Sequence, residues 1–219
     1  MCQEIFKTMF YDRKEAGELL AAALRKYRDL DPVILAIPRG GVPVGYEVAK
    51  ILNAPLDVVI TKKIGHPVNS EYAIGALGLN GYSLNETSRG ISQDYISNEI
   101  LRIRKILEEK NKKYHKEFPA IDIFDRWIIL VDDGVATGST ILVTADLLAK
   151  QSPAGIIVAT PVAPEEAVRK MEENPSINEV VCLDTPHYFR GVGQFYENFD
   201  PVEDSEAIEL LLKANAAEK

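Results

Sequence analysis

Residues 128–140 read IILVDDGVATGST. Four apolar residues, Ile128 to Val131, run straight into the acidic pair Asp132-Asp133. A loop of small residues follows, with glycines at 134 and 138 and hydroxyls at Thr137, Ser139 and Thr140. A second apolar run begins at Ile141. A short, continuous apolar run bounded by turn residues predicts a strand covered on both faces, as in a parallel sheet. The expected elements are a strand over Trp127 to Val131 and a helix over Ser139 to Lys150, with the acidic pair and the loop between them.

The same alternation extends outward. Val33 to Ile37 is another continuous apolar run, ended by Pro38 and followed by Gly40-Gly41. A helix is expected near Gly45 to Leu52 and a strand at Asp57 to Ile60, so residues 33–61 form a parallel βαβ unit. Upstream, Ala16, Leu19, Leu20, Ala23, Leu24 and Tyr27 recur at helical spacing behind a capping-box pair, Asp12 and Glu15. Downstream, strands are expected at Gly155 to Thr160 and Val180 to Leu183, and helices at Pro164 to Glu173 and Ser205 to Ala217. Between the two βαβ units, Glu71 to Leu79 and Tyr82 to Glu86 flank Asn80-Gly81, a hairpin signal. Ser92 is placed to cap a long helix from about Asp94 to Lys116.

This pattern predicts an α/β fold: an open, mostly parallel twisted sheet with helices on both faces, carrying a hairpin insertion and a small C-terminal hood. One domain over residues 1–219 is expected. Its core runs from about 30 to 165, the flexible hairpin and long helix occupy 65–117, and the hood occupies about 180–219. In such sheets ligands sit at the carboxyl ends of the strands, where both glycine-containing loops lie.

Composition narrows the function. The chain has 219 residues, 46% hydrophobic and 26% charged, with a formal net charge of −8. That balance argues against general affinity for nucleic acid or for an anionic membrane. The basic face of the long helix (Arg102, Arg104, Lys105, Lys110, Lys112, Lys113, Lys116) is interrupted by Glu99, Glu108, Glu109 and Glu117, which fits a solvated helix face better than a nucleic-acid contact. No apolar run is long enough to cross a bilayer, and the N-terminal MCQEIFKTMFYDRK has no signal-peptide layout. Cys2 and Cys182 lack metal or redox spacing, and His66, His115 and His187 are scattered. A reducing, cytoplasmic setting is expected.

The chemistry follows from residue types. Side chains alternate at a strand end, so Asp132 and Asp133 diverge; both can reach a ligand lying across the strand end, but they do not easily chelate one ion together. Carboxylates accept paired sugar hydroxyls and can face a hydrated Mg²⁺. The loop Ala136 to Thr140 opens a helix, where unpaired N–H groups and the helix dipole cradle a phosphate. An acidic pair beside a phosphate cradle is a site for a phosphorylated sugar. Neither a GKS/GKT loop nor a GxGxxG fingerprint is present.

VDDGVATGST resembles the ribose-phosphate signature of the type I phosphoribosyltransferases. Two further segments carry the resemblance. Ala36-Ile37-Pro38-Arg39-Gly40-Gly41 stands where that family places its pyrophosphate loop. Thr61-Lys62-Lys63-Ile64-Gly65 stands where adenine- and orotate-type members carry a basic pair. KKIGHPVNSEYAIGALG resembles a subgroup of uncharacterised predicted members. The resemblance covers roughly residues 33–161, in order.

It implies a glycosyltransferase of the pentosyl class, active in nucleotide salvage. Ribose 5-phosphate would pass from phosphoribosyl pyrophosphate (PRPP), with Mg²⁺, to a nitrogenous base, releasing pyrophosphate. The alternative on the same fold is a non-catalytic sensor of PRPP or nucleotides. The implied PRPP-binding set is Arg39, Gly40, Gly41, Lys62, Lys63, Asp132, Asp133, Gly134, Val135, Ala136, Thr137, Gly138, Ser139 and Thr140. Asp132, Asp133, Lys63 and Arg39 are its catalytic members. Mg²⁺ would travel with PRPP near Asp132 and Asp133, with no direct protein cage.

Of the two lysines, Lys63 is favoured to face the site. Arg39 offers a planar fork for phosphate oxygens or, alternatively, a surface ion pair. Tyr188, Phe195 and Tyr196 either stack on a base or form an aromatic packing cluster. Ala136 stands where 6-oxopurine members have an aspartate, which argues against a hypoxanthine or guanine acceptor. The expected mobile cover is Gly65 to Asn85, and a homodimer is expected from the family.

Overall fold

A computed structural model describes residues 9–69 and 72–216. Five strands form one parallel sheet: β1 (Val33–Ala36), β2 (Leu56–Val58), β6 (Trp127–Val131), β7 (Gly155–Val162) and β8 (Glu179–Asp184). Their order is β2-β1-β6-β7-β8. The continuous apolar runs are the reason. Every residue of β1 and β7 is buried, and alternate residues of each strand feed different cores. Ile34, Ala36, Ile129, Val131, Ile157 and Ala159 face α1 (Arg13–Leu24), α2 (Gly41–Leu52) and α6 (Asp204–Ala216). Val33, Leu35, Ile128, Leu130, Ile156 and Val158 face α4 (Ser139–Ala149) and α5 (Glu165–Glu172). This is the expected two-faced α/β architecture.

The middle of the chain forms a second, antiparallel sheet of three strands in sequence order, β3 (Thr61–Gly65), β4 (Ala73–Gly78) and β5 (Tyr82–Leu84). The Asn80-Gly81 hairpin is present, with the Gly78 N–H donating to the Gly81 carbonyl at 2.8 Å. Its two strands, β4 and β5, are shorter than expected; Glu71 lies outside the described residues. The unexpected member is β3, the segment carrying Lys62 and Lys63. Two adjacent lysines break the apolar pattern of a strand. Pairing with β4 nevertheless satisfies the backbone, and an edge strand tolerates charged side chains. The long helix α3 (Gln93–Tyr114) packs Ile96, Ile103 and Leu107 in one core with Ile64, Ile74 and Leu77.

Three details depart from the periodicity. Helix α2 starts at Gly41 rather than Gly45, because Pro43 falls in the first turn, where no N–H is needed. On α1, Leu19 and Ala23 are exposed, while Gly17 and Ala21 are buried. A Cβ on Gly17 would stand 2.9 Å from the Val44 carbonyl, so glycine lets α1 lie directly on α2. Asp12 caps α1 by accepting the Glu15 N–H at 2.8 Å, but the Glu15 carboxylate reaches back to the Tyr11 N–H rather than to Asp12. Cys2 and Ala217 lie outside the described residues. Cys182 is partly buried, and burial pushes its thiol up to about 12. Among the described residues no helix is long and apolar enough to cross a membrane.

Candidate functional site

Strands β1 and β6 pair in register, Ala36 opposite Val131, so the loops that follow them leave the sheet side by side. The Ile37 N–H donates to the Val131 carbonyl at 2.9 Å and holds them together. The contact is closest at the two glycines. A Cβ on Gly40 would stand 2.1 Å from Asp133 Oδ2, and one on Gly41 would stand 2.7 Å from the Val131 carbonyl oxygen. Glycine is therefore required here by the packing of one loop on the other. Within the first loop the Pro38–Arg39 peptide is cis. The Gly41 N–H donates to the Ile37 carbonyl, which turns the chain into α2.

The second loop leads into α4 through Gly138, whose φ of +76° is the left-handed conformation that glycine adopts without strain. Gly138 offers this helix no side-chain cap, and the Ser139 N–H makes only a long bond, 3.4 Å, to the Thr137 hydroxyl. Thr137 and Ser139 pair their hydroxyls at 3.0 Å. Residues 134–141 line a cavity of about 210 Å³, with Asp132 on one wall and Val192 on another. The uncapped N–H groups and the positive end of α4 make this an anion-binding shape. Val192 belongs to a short 3₁₀ turn, Val192–Phe195, of the C-terminal segment. It closes on Gly134 so tightly that a Cβ there would stand 2.3 Å from a Val192 methyl.

The acidic pair separates into two environments. Asp132, partly exposed, lines the cavity. Its carboxylate accepts the Asp133 N–H at 3.0 Å and has no cationic partner among the described residues. Desolvation pushes it well above the usual carboxylate range, and the charge of Asp133 adds to that. Asp133 is buried, and its carboxylate is held by Arg13 Nε at 2.7 Å. Desolvation raises this group too, while Arg13 opposes the shift. Asp133 thus faces α1 and Gly40 while Asp132 lines the cavity, the divergence expected of adjacent residues at a strand end.

Lys62 and Lys63 both line a cavity of about 520 Å³. Ser139 and Thr140 line it as well and join it to the loop cavity. Arg39 is exposed and lies 3.4 Å from the Glu203 carboxylate. Helix α3 adds Tyr95, Glu99 and Arg102 to the wall of the larger cavity, which the motif reading did not include. Its basic face is laced with ion pairs: Arg102 grips Glu99 at 2.5 and 2.8 Å, and Lys113 meets Asp204 at 2.7 Å.

The aromatic candidates divide. Tyr188 is 89% exposed, whereas Phe195 and Tyr196 are only 6% and 5% exposed. The latter two pack with Phe10 and Val162, and the Tyr196 hydroxyl donates to the Asp133 carbonyl at 2.5 Å. Of the two alternatives for Phe195 and Tyr196, the structure shows the packing cluster, and burying an aromatic face removes it from any ligand. Arg13 and Val192, which shape the site directly, were missed. No local motif marks either, since each acts across more than fifty residues of chain.

The sequence profile of the phosphoribosyl transferase domain matches residues 8–196. The chain belongs to this family. A Mycobacterium tuberculosis protein named "Putative phosphoribosyl transferase MT0597" is 34% identical over 211 residues, 94% of this chain and 47% of that protein. This member of the family therefore spans about half the length of the curated relatives it matches. The crystal structure of TT1426 from Thermus thermophilus aligns with a TM-score of 0.85 and 38% identity, covering 94% of this chain and 98% of that one. A hypothetical protein from Neisseria gonorrhoeae, crystallised with bound ppGpp, shares the fold at a TM-score of 0.51 and 13% identity, covering 96% and 99% of the two chains. Phosphoribosyl transfer is the type of activity that goes with this family; here residues 36–41 and 128–140 lie side by side after β1 and β6, and residues 61–65 share a cavity with Ser139 and Thr140.

Proposed function

We propose that this chain is a PRPP-dependent phosphoribosyltransferase that moves ribose 5-phosphate to a nitrogenous base and releases pyrophosphate. The observation that carries the reading is the pairing of an uncapped helix N-terminus with a partly exposed carboxylate, Asp132, on the wall of the same 210 Å³ cavity. The 5′-phosphate would take the N–H groups of residues 137–140, and the ribose hydroxyls would take Asp132. The pyrophosphate would lie toward Arg39, Gly40, Lys62 and Lys63, which neutralise it as it leaves. The acceptor nitrogen then forms its bond to the anomeric carbon as the carbon–pyrophosphate bond breaks. No covalent nucleophile on the protein is required, only positioning.

Mg²⁺ fits this donor set. Asp132 offers hard carboxylate oxygens and has no cationic partner among the described residues. Asp132 would hold the cation, whose charge would help to neutralise the departing pyrophosphate. The hairpin and α3 are the proposed cover, and the segment after β8 is the proposed hood, where exposed Tyr188 is the remaining aromatic candidate for the acceptor.

The test is pyrophosphate release from PRPP with Mg²⁺ across a panel of purine and pyrimidine bases. Release that depends on one base supports the transferase and names its acceptor. Tight PRPP binding with no release from any base points to the sensor alternative. Folded protein that does not bind PRPP rejects the reading.

A further inference from the structure

Another cavity, of about 100 Å³, lies apart from the two glycine loops, and none of residues 36–41 or 132–140 lines it. It sits between the last turn of α3, the Asn80-Gly81 hairpin turn, the last turn of α4 and the chain on either side of β2 and β3. Leu35, Ile60, Ile121, Ile123 and Leu147 give it apolar walls. Asn111, on α3, also lines it, and the buried Asn111 Oδ1 accepts no hydrogen bond among the described residues. The other polar groups of the lining are already paired. The Asp57 carboxylate is taken by two N–H groups and by His115 Nε2, and His115 Nδ1 lies 3.2 Å from the Asn111 backbone carbonyl. Asn80 Nδ2 donates to Gln151 Oε1 at 2.8 Å, and the Thr61 hydroxyl pairs with that of Thr144 at 3.0 Å.

These facts define the chemistry of an occupant. A buried carbonyl oxygen with no donor costs free energy, and a ligand that supplies the donor removes that cost. The charged residues of the lining, Asp57 and His115, satisfy each other, so a charged ligand would meet no free counter-charge and would be penalised by the apolar walls. The volume suits one small ring: an apolar cavity of about 150 Å³ holds benzene, and here the exposed Asn80 and Ala120 line the cavity, so a ring can protrude to solvent. A lone water could satisfy Asn111 Oδ1 but would leave the apolar walls poorly contacted. We propose that this cavity binds a neutral, single-ring compound that donates one N–H or O–H to Asn111 Oδ1. The site is separate from the one proposed for PRPP and does not rest on the phosphoribosyl reading. The two are neighbours, because Thr61, the first residue of β3, lines both this cavity and the 520 Å³ cavity of Lys62 and Lys63.

The experiment uses phenol and fluorobenzene, which are alike in shape and differ in the donor; phenol stays neutral near pH 7. Each is titrated into the full chain while NMR follows the Asn111 side-chain amide and the Ile60 and Ile123 methyls. Phenol is expected to saturate these signals with a Kd of about 3 mM or tighter. Fluorobenzene should bind at least about fivefold more weakly, and Asn111→Leu should weaken phenol by a similar factor. The variant should unfold at the same or a higher urea concentration than wild type, since it removes an unpaired buried oxygen; a merely structural asparagine would lose stability instead. Weaker binding of phenol, shifts confined to other residues, or equal affinity for the two compounds overturns the proposal. If Asn111→Leu does not fold, the two compounds decide the matter on wild type alone. Displacement of phenol by Mg²⁺-PRPP would make the cavity part of the substrate site and overturn a separate one, whereas a wild type that takes phenol here but binds no PRPP would keep this site while the phosphoribosyl reading fails.

Discussion

One acidic residue lies buried in the parallel sheet and another stands partly exposed at the end of its central strand, and the protein treats them differently. Asp57 in β2 is 3% exposed and is fully satisfied. It accepts hydrogen bonds from the Val58 N–H at 2.7 Å and the Ile121 N–H at 2.8 Å, and it meets His115 Nε2 at 2.7 Å. These bonds tie the edge strand to the end of α3 and to the segment that follows. Asp132, at the carboxyl end of β6, has only its neighbour's N–H as a hydrogen-bond donor among the described residues. Between them in character stands Asp133, a charge held by one arginine. A carboxylate surrounded by donors is a structural tie, and one desolvated without donors destabilises the fold and is available to a ligand. The difference separates a framework residue from a proposed site residue without reference to any motif.

The comparison can be broken at either end. The largest effect is expected at the framework: Asp57→Ala removes the partner of His115 Nε2 and of two N–H groups and should cost about 3–5 kcal/mol in urea unfolding. A loss below about 1 kcal/mol would show that the tie contributes little. Next is Gly40→Ala, whose new Cβ meets the Asp133 carboxylate at 2.1 Å. Overpacking of this kind should lower stability by about 1–3 kcal/mol, and it should weaken PRPP binding in calorimetry because it moves the first loop.

The sharpest contrast is Asp132→Asn. It should lower PRPP affinity at least tenfold, about 1.4 kcal/mol, while raising unfolding stability by roughly 1 kcal/mol, because an unpaired desolvated charge is removed. A loss of both would make Asp132 a framework residue like Asp57.

The smallest effect is in pH. The hydrogen bond to Asp57 raises the His115 pKa above its ordinary value, against the opposing effect of burial. The protonated pair therefore adds stability that is fully present below about pH 6.5 and is lost as pH rises through the higher folded value. The stability difference between wild type and His115→Gln should shrink from pH 6 to pH 9 in urea titrations; a difference that grows would reverse the assigned protonation.

Much of this was legible along the chain. The strand Trp127–Val131 and the helix starting at Ser139 appear where the apolar runs place them. The loop between them has the left-handed glycine and uncapped amides that its small residues suggested. Both are local consequences: side-chain size and backbone preference act within a few residues. The strand Thr61–Gly65 was not legible, because its pairing with β4 outweighs two adjacent lysines. Nor was the burial of Phe195 and Tyr196, since an aromatic run in an irregular segment can cover a core or face a ligand until its neighbours are known.

The sequence by itself determined the layered α/β plan and the family. Each follows from the order and spacing of apolar runs, glycines and charges. Only the tertiary structure decided how the acidic pair divides. Arg13 and Asp133 are 120 residues apart in the chain, and no local rule brings an arginine on the first helix to the end of a central strand. The packing of α1 on α2, close enough to exclude a Cβ at Gly17, helps to set its position. Burial then makes the ion pair matter, because a charge removed from water must find a partner, and Asp133 found one while Asp132 did not.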